Sequence, residues 1–247
     1  GADSINILDS PYAPGRMSSL PAAIVVENEV GIETVVHYPC RDRNMSRMIS
    51  DLLGAAASGI HNLLLVTGRP PPTGPFQPAL SGIDIDSIGL TNVVHGLNQG
   101  MDPGGNSLES RTNFVIGARM NHVATDQDKE ISRLKWKVDA GAHFLVTHPV
   151  FSVETLHSFL PNISDLSIPI IGTLWPLRSF READYLHNEV PGIQIPESIF
   201  SRMASVEKQG GLEARSEGVK IALESFEEMR PIVQGLQIKA SSGSFAE

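Results

Sequence analysis

Short, evenly apolar runs rich in β-branched residues alternate with helical stretches along nearly all of the 247-residue chain, and this pattern most narrows the folds open to it. The strand candidates are residues 4–9, 34–39, 62–68, 113–119, 144–150, 169–174 and 236–241. Each is too short and too evenly apolar for a half-exposed antiparallel strand, so they read as parallel strands buried on both faces. Helical patterns fall between them, at about 16–30, 45–59, 86–99, 126–140, 152–160, 179–187 and 211–229. Gly59 and Gly141 each close a helix just before the next strand, where a left-handed cap turns the chain back toward the sheet.

Such alternation gives either a doubly wound sheet or a closed barrel. No Gly-x-Gly-x-x-Gly follows the first strand, which removes the main support for a dinucleotide-binding open sheet. The reading is therefore a single-domain (β/α)8 TIM barrel spanning 1–247, a size typical of that architecture. Only seven strands are counted where a closed barrel needs eight. The opening Gly1-Ala2-Asp3 reads as the tail of a helix, so the first strand and helix are expected to be missing from this chain. The alternative is a strand overlooked in the count.

Hydrophobic residues make up 41% of the chain and charged residues 19%, which fits a large packed core and excludes a disordered profile. A net charge of −9 argues against a nucleic-acid partner. The longest apolar runs are strand-sized, too short to cross a bilayer, and the start lacks a basic segment followed by an apolar one. The lone Cys40 excludes an internal disulfide framework and suits a reducing, cytoplasmic setting. It reads either as a packed hydrophobe or as a nucleophile at a strand end.

In barrels of this kind the active site is built at the C-terminal ends of the strands. Those ends collect Arg41, Arg43, Arg69, Arg119, His148, Arg178 and Lys239, a cationic group on an acidic chain. Guanidinium groups suit a phosphate or carboxylate ligand; the alternative is that some of them pair with Asp and Glu on the rim. His37, His122 and His148 come from different strands, and the spacing of a metal-ligand motif is absent, so no metal is expected. A Gly-x-Ser-x-Gly nucleophile elbow is absent too, and no catalytic residue is singled out.

The strand ends are also where the chain becomes recognisable. His37-Tyr-Pro-Cys-Arg-Asp-Arg-Asn44 resembles the His-Leu-Thr-Cys-Arg-Asp-Arg-Asn of methylenetetrahydrofolate reductases. Thr67-Gly-Arg-Pro-Pro71 is similar to their Thr-Gly-Asp-Pro-Pro loop, and Asp84-Ile-Asp-Ser-Ile-Gly-Leu90 to the block that follows. Arg133–Ala142, Thr147-His-Pro-Val-Phe151, Pro176–Ser179 and His187–Gly192 continue the likeness in order, up to about residue 241. The form it most resembles is the reductase half of bacterial proteins fused to a homocysteine S-methyltransferase.

The resemblance implies a barrel that binds FAD and passes a hydride from NAD(P)H to methylenetetrahydrofolate, in a cytoplasmic homo-oligomer or a chain fused to a methyltransferase. It implies His37, Thr67, Gly68 and Arg69 along the flavin, and Ser87, Arg119, His122, Glu130 and Lys137 around its ribityl, phosphate and adenosine parts. It implies Asp9 and His148 on the folate side, His148 standing where the family has Gln. Three departures accompany it. The family's acidic residue beside the flavin is Arg69 here, a cation that would stabilise reduced anionic flavin and weaken hydride donation. Its Asn-Pro is Asn121-His122. Its proton-donating Glu lies on a first strand this chain does not contain. A second reading follows from them: a diverged relative that binds folate or another anionic ligand without reducing it.

Overall fold

The computed structural model describes residues 1–9, 17–68 and 84–239. Seven strands and eight α-helices alternate among them, and every registered strand pair is parallel. This is an α/β fold consistent with a (β/α)8 TIM barrel lacking one strand. Packing divides the chain into two compact units, Gly1–Arg119 with Lys135–His143, and Met120–Leu134 with Phe144–Glu247.

In the first unit, β1 (Ser4–Ile7), β2 (Glu33–Pro39), β3 (Asn62–Val66) and β4 (Val115–Met120, its last residue counted with the second unit) lie side by side in chain order. The successive residues Leu63, Leu64 and Leu65 are all buried, as a strand covered on both faces requires. One cover is supplied by α1 (Ser19–Val30), α2 (Met45–Ala57) and α3 (Ser87–Gln99), whose Ala23, Met48, Leu52, Leu90 and Leu97 join Val36, Tyr38 and Ile116 in one core. Two side-chain caps start the helices. Asn44 accepts the Arg47 N–H at 2.8 Å, and Asp86 accepts those of Ile88 and Gly89 at 3.0 Å. Gly59 (φ 86°) and Gly141 (φ 109°) hold the left-handed turns expected of them.

In the second unit, β5 (Phe144–Pro149), β6 (Ile170–Leu174) and β7 (Gly235–Ile238) are adjacent and parallel. The helix α4 (Gln127–Asp139) begins in this unit and ends in the first. It is followed by α5 (Val153–Phe159), α6 (Phe180–Glu189), α7 (Glu197–Glu207) and α8 (Gly211–Met229). Ser152 and Ser179 cap α5 and α6 through their hydroxyls. The core gathers Phe151, Leu177, Leu186, Ile195, Ile199, Met203 and Ile221. On its outer side Arg202 reaches Glu217 through Nε (2.8 Å) and Glu224 through Nη2 (2.9 Å), joining α7 to α8.

The strand expectations hold to within two or three residues, although 62–68 stops at Val66 and 236–241 stops at Ile238, with 240 and 241 outside the described residues. The sequence reading contained no α7 and no 3₁₀ segment at Leu160–Leu166. The start of α7 is Pro196, which has no side-chain cap to signal a helix.

Two glycines test this packing with the same substitution. A Cβ on Gly54, on the exposed side of α2, meets nothing within 4 Å, whereas one on Gly218, in α8, would sit 1.8 Å from the Leu177 carbonyl oxygen. Gly54→Ala should raise stability by about 0.5–1 kcal/mol. Gly218→Ala should lower it by at least about 1–3 kcal/mol, since rigid backbone must move. Thermal unfolding of both variants checks the opposite signs.

Candidate functional site

Each unit carries its own group of polar strand-end residues. In the first, His37 is buried on β2, and its carbonyl accepts the Ser19 hydroxyl at 3.0 Å. Just beyond β3, Thr67 Oγ1 accepts the backbone N–H of Ser87, the first residue of α3, at 3.2 Å. With Ile88 and Gly89 already held by Asp86, the three leading N–H groups of α3 all have partners within the protein. Ser87 therefore has its hydroxyl, not its N–H, to offer a ligand; that hydroxyl is on a buried residue. Gly68 (φ 81°) lies against Arg41, where a Cβ would fall 2.9 Å from Arg41 Cγ. Arg69 lies outside the described residues.

Asp9 sits between two guanidinium groups: Arg41 Nη2 pairs with its Oδ1 and Arg43 Nη2 lies 3.3 Å from Oδ2. Arg43 Nε also faces Asp51 (3.6 Å), which takes Arg47 Nε (2.8 Å) and the Tyr38 hydroxyl (3.2 Å). Arg41 and Arg43 are thus rim ion pairs, and Asp9 is occupied by them. In the second unit Arg178 likewise faces Glu182, whose Oε2 accepts the Arg178 N–H at 2.7 Å. The cationic cluster expected from the sequence is reduced accordingly.

Arg119 on β4 differs. Among the described residues its guanidinium has no acidic partner, and burial lowers its pKa by removing water from the charge. Its carbonyl accepts Lys137 Nζ at 2.6 Å, which brings the buried Lys137 on α4 to the same strand. Two candidate residues are in this way joined, and a half-buried arginine without a carboxylate is suited to an anionic group.

Cys40, at the end of β2, is fully buried, and burial pushes its thiol up to about 12. That environment is the opposite of a nucleophile's.

In the second unit, Glu130 on α4 accepts the Asn121 N–H at 2.9 Å, fixing the loop that follows β4. The next residue, His122, is 1% exposed. Its Nδ1 has no hydrogen-bond partner among the described residues, and burial alone drives its pKa down to about 4. His148 owes its position to an irregularity in β5. Three residue steps from Val146 to Pro149 face two from Ile171 to Thr173, and Thr147 bridges the gap. Its Oγ1 accepts the Thr173 N–H at 2.9 Å and its carbonyl accepts the Thr173 hydroxyl at 2.7 Å. The bulge delivers His148 to the 190–196 loop after α6, where Nδ1 lies 3.0 Å from the Gly192 carbonyl. Gly192 (φ 84°) is required there, since a Cβ would fall 2.6 Å from His148 Nδ1. Asn121, His122, Phe151, Thr155 and that loop enclose a cavity of about 570 Å³. The sequence marked His187–Gly192 only as a block of the resemblance and gave it no role at the site, and no local composition signals the bulge.

Two predictions follow from burial. Cys40 should resist alkylation at pH 8 in the native protein and react fully once unfolded, as mass spectrometry would record. For His122, the unfolded chain takes up a proton near pH 6.5 and the folded chain only near 4. Acidification across that window therefore favours unfolding, with a loss of about 3 kcal/mol by the lower end. Denaturant unfolding from pH 7 to 4 should show that loss in the wild type and not in His122→Gln; superimposable profiles would refute it.

Comparison with known proteins gives these strand ends a family. The family model described as methylenetetrahydrofolate reductase matches residues 3–239. Methylenetetrahydrofolate reductase 2 of Saccharomyces cerevisiae is 24% identical over 229 residues, covering 87% of this chain and 35% of that protein. A probable NADPH-type methylenetetrahydrofolate reductase of Caenorhabditis elegans is 23% identical over 195 residues, covering 76% and 27%. The chain thus spans about a third of the length of the relatives it matches. Among solved structures, an uncharacterized protein from Clostridium thermocellum that binds two copies of 5-methyl-5,6,7,8-tetrahydrofolic acid shares the fold. Its TM-score is 0.62 at 17% identity, over 96% of this chain and 76% of that one. With the match running through nearly every described element, the chain belongs to the methylenetetrahydrofolate reductase family.

Proposed function

We propose that this chain is a flavin-dependent reductase domain that converts 5,10-methylenetetrahydrofolate to 5-methyltetrahydrofolate with NAD(P)H. The observation that carries the reading is Arg119, a desolvated guanidinium with no acidic partner among the described residues, bonded through its carbonyl to Lys137. Such a pair fits the diphosphate of FAD, because a desolvated guanidinium with a lysine on the same strand is suited to an anion. Family membership over residues 3–239 and the folate bound by the Clostridium relative support the substrate class.

In this reading Arg119 and Lys137 hold the diphosphate, while Thr67, Gly68 and the hydroxyl of Ser87 border the flavin beside His37. FAD, when bound, supplies the hydride relay between the nicotinamide and the folate. Glu130 keeps the loop after β4 in place through the Asn121 N–H. His148, oriented by the Gly192 carbonyl, serves the folate with the hydrogen bond that a Gln makes in relatives. The fused methyltransferase and the homo-oligomer implied by the sequence blocks belong to this proposal, as does a cytoplasmic setting. Among the described residues no helix is long and apolar enough to cross a membrane.

A second reading, folate binding without reduction, is favoured by Arg69, a cation where the family has an acid. Addition of FAD to the purified chain, followed by gel filtration, tests the first. Retained visible absorbance is expected, and Arg119→Met should weaken FAD binding about 10- to 100-fold, the worth of a charged hydrogen bond or two. A chain that stays colourless while still binding 5-methyltetrahydrofolate would replace the first reading by the second.

A further inference from the structure

The loop after α6, Val190-Pro-Gly-Ile-Gln-Ile-Pro196, is written in residues that leave its backbone few donors. Pro191 and Pro196 carry no N–H. The Ile193 N–H closes a turn on the Val190 carbonyl at 3.3 Å. Ile193 and Ile195 are buried in the core of the second unit, so the Ile195 amide lies on covered chain and calls for a partner. That partner is His187, on the last turn of α6, whose Nδ1 accepts the Ile195 N–H at 3.1 Å. Phe200 on α7 meets the same ring edge to face, with centroids 5.3 Å apart, and helps to fix its plane.

These bonds fix the tautomers of two histidines. A backbone N–H only donates, so Nδ1 of His187 carries a lone pair and its neutral ring has the proton on Nε2. At Gly192 the chemistry is reversed. A carbonyl only accepts, so His148 has its proton on Nδ1, facing Gly192, and Nε2 is the acceptor of that ring. The carbonyl that orients His148 and the amide that His187 holds stand in one loop, with two residues between them. The fit is close: a Cβ on Gly192 would fall 2.6 Å from His148 Nδ1 and 3.1 Å from Asn121 Nδ2. A small shift of the loop is therefore felt at His148.

We propose that His187 is a positioning residue: through the Ile195 amide it holds the 190–196 loop in the form that presents the Gly192 carbonyl to His148, and so sets the tautomer with which His148 meets its ligand. This role rests on the reading in which His148 serves the folate. It adds what that service requires, an acceptor at Nε2 held in one orientation by a supporting hydrogen bond. A Gln amide can turn over to offer either its NH₂ or its carbonyl. A histidine whose Nδ1 is committed offers an acceptor only, so this chain depends on the loop for a choice that a Gln makes by rotation. The ligand group that meets His148 Nε2 is accordingly an N–H or O–H donor.

Two variants separate the acceptor from the ring. His187→Phe keeps a flat ring against Phe200 and removes the acceptor, whereas His187→Asn restores an oxygen at the place of Nδ1. Ring nitrogens of the 15N-histidine-labelled chain are recorded by NMR without FAD or folate, at about pH 8, where histidines are neutral. The His148 signals are assigned by their loss in His148→Gln. The wild type should show His148 protonated on Nδ1 and His187 on Nε2. In His187→Phe the His148 nitrogens should move toward the averaged pattern of a ring that exchanges tautomers, and His187→Asn should restore the wild-type pattern. A His148 that is unchanged in His187→Phe, or that carries its proton on Nε2 in the wild type, overturns the proposal. Titration with 5-methyltetrahydrofolate is the second arm. His187→Phe should weaken binding about tenfold, the worth of one misplaced hydrogen bond, and His187→Asn should recover most of it. Equal affinity in all three chains would overturn the link to the ligand. Should His187→Phe fail to fold, His187→Gln, whose acceptor lies one carbon farther out, replaces it in both arms with the same outcomes expected. A wild-type chain that binds no folate sinks the reading of His148 as a folate contact, while the NMR arm still decides whether His187 positions it.

Discussion

Strands buried on both faces leave polar chemistry almost nowhere to go except their ends, and much of this molecule follows from that. Leu63, Leu64 and Leu65 point alternately to two apolar layers, so neither face of β3 can host a charge. The residues able to bind or react therefore collect where strands become loops. There each polar group must find a partner or cost stability. Where this fold does admit polar side chains inside, as at Thr147 and Thr173, they satisfy each other across neighbouring strands.

Seen in those terms, the strand-end charges sort by partner. Arg41, Arg43 and Arg178 face carboxylates and stabilise the loops they belong to. Two groups matter here: the half-buried Arg119 guanidinium in the first unit, which has no acidic partner among the described residues, and the buried Nδ1 of His122 in the second. Their environments ask for different ligands. Arg119, with Lys137 on its carbonyl, suits an anion, whereas His122 faces a cavity whose lining contains no Asp, Glu, Lys or Arg.

Much of the fold was legible because apolar periodicity and capping residues are local signals. Apolar periodicity placed the helices that Asn44, Asp86 and Ser179 cap, and Gly59 and Gly141 announced their returns. The α7 helix escaped because Pro196 offers no side-chain cap to mark its start. The site was less legible, since partner choice is a tertiary property. Nothing in the sequence indicated that Asp9 would be taken by Arg41 and Arg43, or that a bulge after Val146 would aim His148 at Gly192. The isolation of His122 is equally a consequence of packing from residues distant in the chain.

The central claim is that this domain performs folate-linked flavin chemistry, and the reverse half-reaction tests it most directly. The FAD-loaded chain would be mixed anaerobically with 5-methyltetrahydrofolate while its visible absorption is followed. The account predicts that the flavin band bleaches as the folate is oxidised to the methylene form, and returns when the methylene form is added in excess. A band that persists at saturating 5-methyltetrahydrofolate would contradict it, and would leave a family member that binds the folate without transferring a hydride.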